Sequence, residues 1–370
     1  MNDVRGLQLL STVDAEGFLT VELAEQNLPS PTGHEVLVRV EAAPINPSDL
    51  ALLFGAADLD NARYERDRIV AQIPGGAMKA MAARAGQPMP VGNEGAGTVI
   101  AAGDAPEAQA LMGKRVACIP GGMFAQYRIA DARQCMALGE DVTAEQGASA
   151  FINPLTALGF VETMRQEGHG AIVHLAAASN LGQMLLRICQ EDGIPLVNIV
   201  RREDQAALLK SLGADHVLNS ASESFAKDLA AAIAATGATI AFDPIGGGKQ
   251  AGQIFSAMEQ AASRDAPYNL YGSESPKQVY IYGALDMSPT ILNRSFGFSW
   301  NLGGWLLFTR LKKFGPEVVA RMHERVRSNL ATTFASHYQG SLSLHDMLTR
   351  DAVTGYRAMR TGEKYLLTPH

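Results

Sequence analysis

Cysteine is scarce: Cys118, Cys135 and Cys189 are the full complement of a 370-residue chain. Their spacings build neither a CxxC pair nor a zinc module, and three thiols make no disulfide framework. They read as buried thiols of a reduced, cytoplasmic protein. Runs of Lys or Arg are missing as well, and the net charge is −7. A nucleic-acid partner would want a basic face, so none is expected. No apolar run reaches membrane-spanning length, "FSWNLGGWLLF" (298–308) being too short, so no membrane partner is expected. The opening residues lack the apolar core of a signal peptide. The eight histidines are scattered and none falls in an HExxH motif.

What the chain does have is length, glycine and alternating pattern. Its 370 residues exceed what one core usually covers, so two domains are expected. Residues 35–43, "EVLVRVEAA", alternate and read as a strand; 95–102 and 113–119 read likewise. Closely spaced short strands give a β-rich first domain. Residues 55–89 break the pattern, polar at first and then rich in Ala, Gly and Met, and read as a partly helical insertion able to act as a lid. Beyond about residue 145 the pattern changes. Segments 171–201, 201–219 and 224–246 alternate strand and helix, and "VYIYGAL" (279–285) adds a buried strand. That alternation implies a doubly wound parallel sheet, giving an α/β chain.

The turn after the strand 171–175 is "LAAASNLG". Against the G-x-G-x-x-G template it places Ala177, Ser179 and Gly182. Small residues followed by a helix N-terminus suit a pyrophosphate, which makes Ala178, Ser179, Asn180, Leu181 and Gly182 candidate cofactor contacts. The same residues also fit a generic strand-to-helix turn. The next strand ends "VNIVRRED", with Arg201 and Arg202 where an NAD site carries an acid. Arginine there suits the 2′-phosphate of NADPH, Arg201 ahead of Arg202; the bland alternative is a solvated pair answering Glu203 and Asp204.

Several segments together resemble one superfamily, the medium-chain dehydrogenase/reductases. They are "INPSDL" (45–50), "VGNEGAGTV" (91–99), "FINPLTAL" (151–158), "AAASNLGQ" (176–183), "LGADHVLN" (212–219), "IAFDPIGGG" (240–248), "VYIYGAL" (279–285) and "GEKYLLTP" (362–369), in the family order. The set is similar to the zinc-free branch of quinone reductases and enoyl thioester reductases. The resemblance implies a GroES-like β-rich catalytic domain, residues 1–148 and 330–370, and a Rossmann NADPH-binding domain, residues 149–329. Where zinc-dependent members place Cys and His, this chain has Ile45 and Asn93, so no metal site is expected.

The resemblance also implies roles. Asn46 and Ser48 line the reaction cleft, Ser48 at a hydroxyl position used in proton relays, and Asn93 stands nearby as a further candidate catalytic residue. Asn153 and Thr156 approach the nicotinamide, although Asn153 also suits a helix cap followed by Pro154. Tyr282, Gly283, Phe296 and Phe298 border the nicotinamide and the substrate. Asp49 and Glu94 read as structural acids, Trp300 and Trp305 as core or dimer surface. Enoyl thioester reductases carry a proton-donating Tyr where this chain has Ala57; Tyr64, further on, is the candidate replacement or a surface residue. The long stretch 258–278 is a second candidate lid. The expected activity is hydride transfer from NADPH to a quinone or α,β-unsaturated carbonyl, with enoyl thioester reduction or non-catalytic NADPH binding as alternatives. A homodimer through residues 290–308 is expected.

Overall fold

The computed structural model describes residues 3–370. The chain forms two units, Met1–Ile152 with His323–His370, and Asn153–Met322.

In the first unit the strand Glu35–Pro44 is the spine. It pairs antiparallel with Gly95–Ala102, Tyr127–Asp131 and Tyr365–Leu367, so the end of the chain returns to the middle of this seven-stranded sheet. Val36, Val38 and Val40 are wholly buried along it, and each such valine contributes roughly 1.5–3 kcal/mol over an exposed one. The neighbouring strand packs so closely that a Cβ on Gly97 would lie 2.0 Å from the Arg39 carbonyl oxygen. Residue 97 is therefore glycine because of backbone packing within this sheet.

A five-stranded sheet completes the unit, in the order Arg63–Tyr64, Arg68–Gln72, Phe18–Leu28, Val4–Val13, Met89–Pro90. The expected insertion 55–89 thus supplies three strands as well as the helix Gly75–Met81. Ile69 and Ala71 are buried in the core. Their alternation is only two residues deep and sits among Arg63, Arg66 and Arg68, so it leaves little period-two signal. Arg84 fastens the segment, donating to the Leu52 carbonyl at 2.8 Å and the Ser11 hydroxyl at 2.7 Å. The segment is integral to the unit rather than a free lid.

The second unit is a six-stranded parallel sheet. Its spatial order is His216–Asn219, Leu196–Val200, Ile172–Leu175, Ile240–Asp243, Lys277–Ile281, Trp300–Gly304. Numbered along the chain this is 3-2-1-4-5-6, the Rossmann order, whose switch point lies between the first and fourth strands. The segment 258–278 is helical to Ser263. Its remainder is tied to Glu259, which accepts from Ser263 Oγ (2.7 Å), Ser273 N (2.7 Å), Ser273 Oγ (2.6 Å) and the buried Lys277 Nζ (2.7 Å).

Candidate functional site

Each unit gathers its own set of polar residues. In the first, Asn46 precedes the helix Pro47–Leu53. Asp49 reaches back to accept from the Asn46 N–H at 2.8 Å, as an acid in the first turn of a helix does. Its other oxygen accepts from the Asn93 N–H at 2.9 Å, which fixes the "GNEG" loop to the helix start. The Asn46 amide donates to Glu94 at 2.9 Å, and the second Glu94 oxygen accepts from the N–H groups of Phe151 and Ile152, each at 2.9 Å. Asn93 then donates from its side-chain amide to Ser48 Oγ at 3.1 Å. Asn46, Asp49 and Glu94 are buried; Ser48 is exposed.

Lys364 completes this cluster from the far end of the chain. Its Nζ donates to Ser149 Oγ at 2.7 Å, and Ser149 Oγ lies 2.8 Å from Tyr338 Oη. Burial raises the Asp49 carboxyl to about 7 and lifts Glu94 as well. Burial lowers Lys364 to about 8, opposed by the nearby Glu94 and Asp49. The Asp49 carboxyl and the Lys364 amine therefore titrate close to neutrality, which is where proton exchange is easiest. The Ser48 hydroxyl accepts from Asn93 and keeps its own hydrogen to give.

Asn46, Ser48 and Asn93 are thus brought together. Tyr64 is not. Its hydroxyl donates to the Leu59 carbonyl at 3.0 Å, and its ring lies beneath the Arg350 guanidinium, 4.5 Å from the centroid. The strand pairing of Arg63–Tyr64 with Arg68–Gln72 holds it there, so Tyr64 is a packed residue and no replacement proton donor. Lys364, Ser149 and Tyr338 are members that sequence reasoning missed.

In the second unit the turn after Ile172–Leu175 leads into the helix Asn180–Asp192. Ser179 caps it, accepting from the Gly182 N–H at 3.1 Å. A Cβ on Gly182 would lie 2.1 Å from the Ala177 carbonyl oxygen, so the last glycine of the template has a steric reason. Ala176 takes φ +50°, the left-handed conformation a glycine adopts freely. Amides at a helix start, small residues before it and a tightly closed turn fit a dinucleotide pyrophosphate. At the end of the next strand Arg202 donates to Asp204 at 2.9 and 3.0 Å. Arg201 is exposed.

Tyr282 and Gly283 border a depression of about 490 Å³, with Trp305, Thr309, Arg310 and Lys313 also on its walls. The Tyr282 hydroxyl turns inward, 2.9 Å from His174 Nε2. Burial lowers that fully buried histidine to about 3, so the ring is neutral. Thr156 is buried on the helix Ile152–Gln166, and Asn153 lies inside its first turn rather than at its cap. Phe296 is wholly buried, its ring 5.0 Å from Phe255 and 5.2 Å from Trp300. It is a core residue and cannot border a ligand. Phe298, 80% exposed, packs only on Tyr271 among aromatic rings and is absent from the walls of the depression. Trp305 is buried against Phe160.

Residues 32–140 match the alcohol dehydrogenase GroES-like domain, and residues 181–295 match the zinc-binding dehydrogenase family. Between them they take in more than half of the chain. The chain belongs to the medium-chain dehydrogenase/reductase superfamily.

Within that superfamily its neighbours are quinone oxidoreductase-like and enoyl reductase-like. A Mesorhizobium loti structure, named provisionally as an NADPH:quinone reductase, is 27% identical with a TM-score of 0.75, over 99% of this chain and 98% of that one. A mycobacterial protein solved with NADPH is 20% identical with a TM-score of 0.66, over 99% and 100% of the two chains, a likeness of fold. The mitochondrial enoyl-[acyl-carrier-protein] reductase of Xenopus tropicalis is 29% identical over 212 residues, 55% of this chain and 53% of that protein. The match thus spans about half the length of that curated relative. The zinc in the matched family's description does not fit the residues here. Ile45 is apolar and buried, and the Asn93 amide is engaged with Ser48. Among the described residues no group of three or more His, Cys, Asp or Glu side chains is placed to hold a metal ion.

Proposed function

We propose that the chain is a zinc-independent, NADPH-dependent oxidoreductase that reduces a quinone or an α,β-unsaturated carbonyl compound. The observation that carries this reading is the Asn93–Ser48 hydrogen bond. It puts an amide and a hydroxyl, not a metal ligand, at the heart of the first unit's polar cluster. NADPH, when bound, supplies a hydride. Arg201 would hold its 2′-phosphate, and Ala178–Gly182 would hold its pyrophosphate. Ser48 donates its hydrogen to the substrate oxygen on which negative charge collects, and Asn93 fixes the direction of that hydroxyl. The buried Asp49 and Glu94, with the half-buried Lys364, form a reserve of exchangeable protons behind it.

The same reading makes the protein a cytoplasmic homodimer. Trp300–Gly304 is the outer strand of its sheet, and Ile291, Phe298, Leu306 and Phe308 are exposed apolar residues in the segment expected to pair. No helix among the described residues is long and apolar enough to cross a membrane. Enoyl thioester reduction is the second reading, favoured by the curated relatives and weakened by the engagement of Tyr64.

The test is NADPH consumption by the purified protein with a panel of quinones, enals and enoyl thioesters. Turnover with quinones or enals, above the rate without acceptor, is the expected result. Turnover confined to enoyl thioesters selects the second reading. NADPH binding with no turnover on any acceptor overturns both and leaves a non-catalytic binding protein.

A further inference from the structure

The strand Cys135–Ala137 lies at one edge of the seven-stranded sheet and pairs antiparallel with Arg115–Cys118. Cys135 stands directly opposite Cys118. Opposed residues of an antiparallel pair project to one face with Cα atoms about 4.5–5.5 Å apart. A disulfide spans Cα separations of about 4.4–6.8 Å, so the separation typical of this register falls within its range. The two thiols interact: a hydrogen bond with Cys135, then burial, push the Cys118 thiol well above its ordinary value. Cys118 is wholly buried, its Sγ 3.9 Å from Met123 Sδ. Cys135 is only half-buried, contrary to the sequence expectation, and is reached from solvent. Cys189 belongs to the other unit and is buried in the helix Asn180–Asp192.

We propose that Cys118 and Cys135 are a redox modification site that forms a reversible cross-strand disulfide on exchange with a low-molecular-weight disulfide. The half-buried partner acts first, because Cys118 is closed to solvent. Cys135 Sγ, as thiolate, attacks one sulfur of the small disulfide; that S–S bond breaks and one small thiolate leaves. Cys118 then releases its proton to solvent and attacks Cys135 Sγ, expelling the second small thiolate. Two protein thiols are oxidised by two electrons. One small disulfide is reduced to two small thiols, which take up the two protons.

The location gives the bond its reach. On its other side Cys118 pairs with Gly95, the residue after Asn93 and Glu94. The bond fastens the edge strand to Arg115–Cys118, whose other neighbour, Gly95–Ala102, begins directly after the polar loop of the first unit.

The experiment exposes the full chain to oxidised glutathione, quenches with acid, alkylates all remaining thiols under denaturing conditions and maps the peptides by mass spectrometry. The expected product is a linked pair containing Cys118 and Cys135, lighter by two hydrogens, with Cys189 alkylated and dithiothreitol restoring all three thiols. C118S removes the resolving thiol, so its Cys135 should hold the glutathione mixed disulfide at least tenfold above the wild-type level. C135S, changed at the half-exposed position, should leave Cys118 free and unmodified if C118S fails to fold. Wild-type protein that keeps the mixed disulfide on Cys135 without the link, that leaves both thiols free, or that links either to Cys189 overturns the proposal. So does glutathione on Cys118 in C135S.

Discussion

Asn93 gives its side-chain amide hydrogen to the Ser48 hydroxyl oxygen over 3.1 Å, and the serine's own hydrogen is thereby directed elsewhere. If that hydrogen meets the substrate oxygen, Ser48→Ala lowers kcat about 10²-fold, the usual cost of one donor to a developing oxyanion. Asn93→Ala, which frees the hydroxyl to rotate, lowers it by a smaller factor. Cofactor affinity stays unchanged in both. Steady-state kinetics with the best acceptor checks this; unaltered kcat in Ser48→Ala removes the role.

Arg201 and Arg202 are adjacent but not equivalent. Both are exposed at the strand end, but Arg202 is held in two hydrogen bonds by Asp204. Charge reversal at Arg201 should raise KM for NADPH about 10- to 100-fold, the worth of a charged hydrogen bond to phosphate, and leave NADH within about twofold. Reversal at Arg202 should cost less. Equal losses for the two cofactors would refute the 2′-phosphate role.

Lys364 stands near two buried carboxyls, and its removal should be felt through their titration. Asp49 is raised to about 7, against an ordinary carboxyl near 4. Between those values the folded state holds the extra proton, so stability from this group falls as pH rises. Lys364→Met takes away a charge that opposes the rise. Its stability deficit should therefore be small near pH 5 and grow toward pH 7.5, as Asp49 ionises while the wild-type amine is still charged. Urea midpoints across that range test the point; a deficit independent of pH counts against it.

His174 has the opposite sign. Its folded value is about 3 because burial excludes the charged ring, against 6.5 for the ordinary group. Between these values the unfolded chain binds the extra proton, so stability from this group is lost as pH falls below about 6.5. At pH 5 the loss amounts to about 2 kcal/mol. His174→Gln cannot titrate, and its stability between pH 7 and 5 should run flatter by that amount. Parallel curves for the two proteins would show that His174 is not excluded from protonation.

Much of this was visible in the residues. The strand–helix alternation after residue 145 yields a parallel sheet, because each element there carries its own period. Gly182 reads as a packing glycine even where the template fails at Ala177 and Ser179. Asn46, Ser48 and Asn93 also meet in the folded chain. In the sequence Lys364 is simply one residue of the terminal segment 362–369. What makes it part of a cluster is the pairing of Tyr365–Leu367 with Glu35–Pro44, a contact across most of the chain that no local pattern announces. Tyr64 and Phe296 failed for a related reason: both are aromatic and near the right places in sequence. Tyr64 is held by the Leu59 carbonyl and Phe296 by the ring of Phe255 on a helix, and neither contact has a local signal in the sequence.

The turn that begins at Ala176 carries alanines and a serine where glycines are usual, and Ala176 accepts a left-handed backbone to do so. Glycines would leave such a turn many conformations before a ligand arrives. Side chains at these positions remove most of them in advance, and they do so in the unfolded chain as well. A phosphate group docking here would restrict little that is still moving, so less of its binding free energy would be spent on ordering the loop. The departure from the glycine template is in this sense a trade of backbone strain for lower conformational entropy.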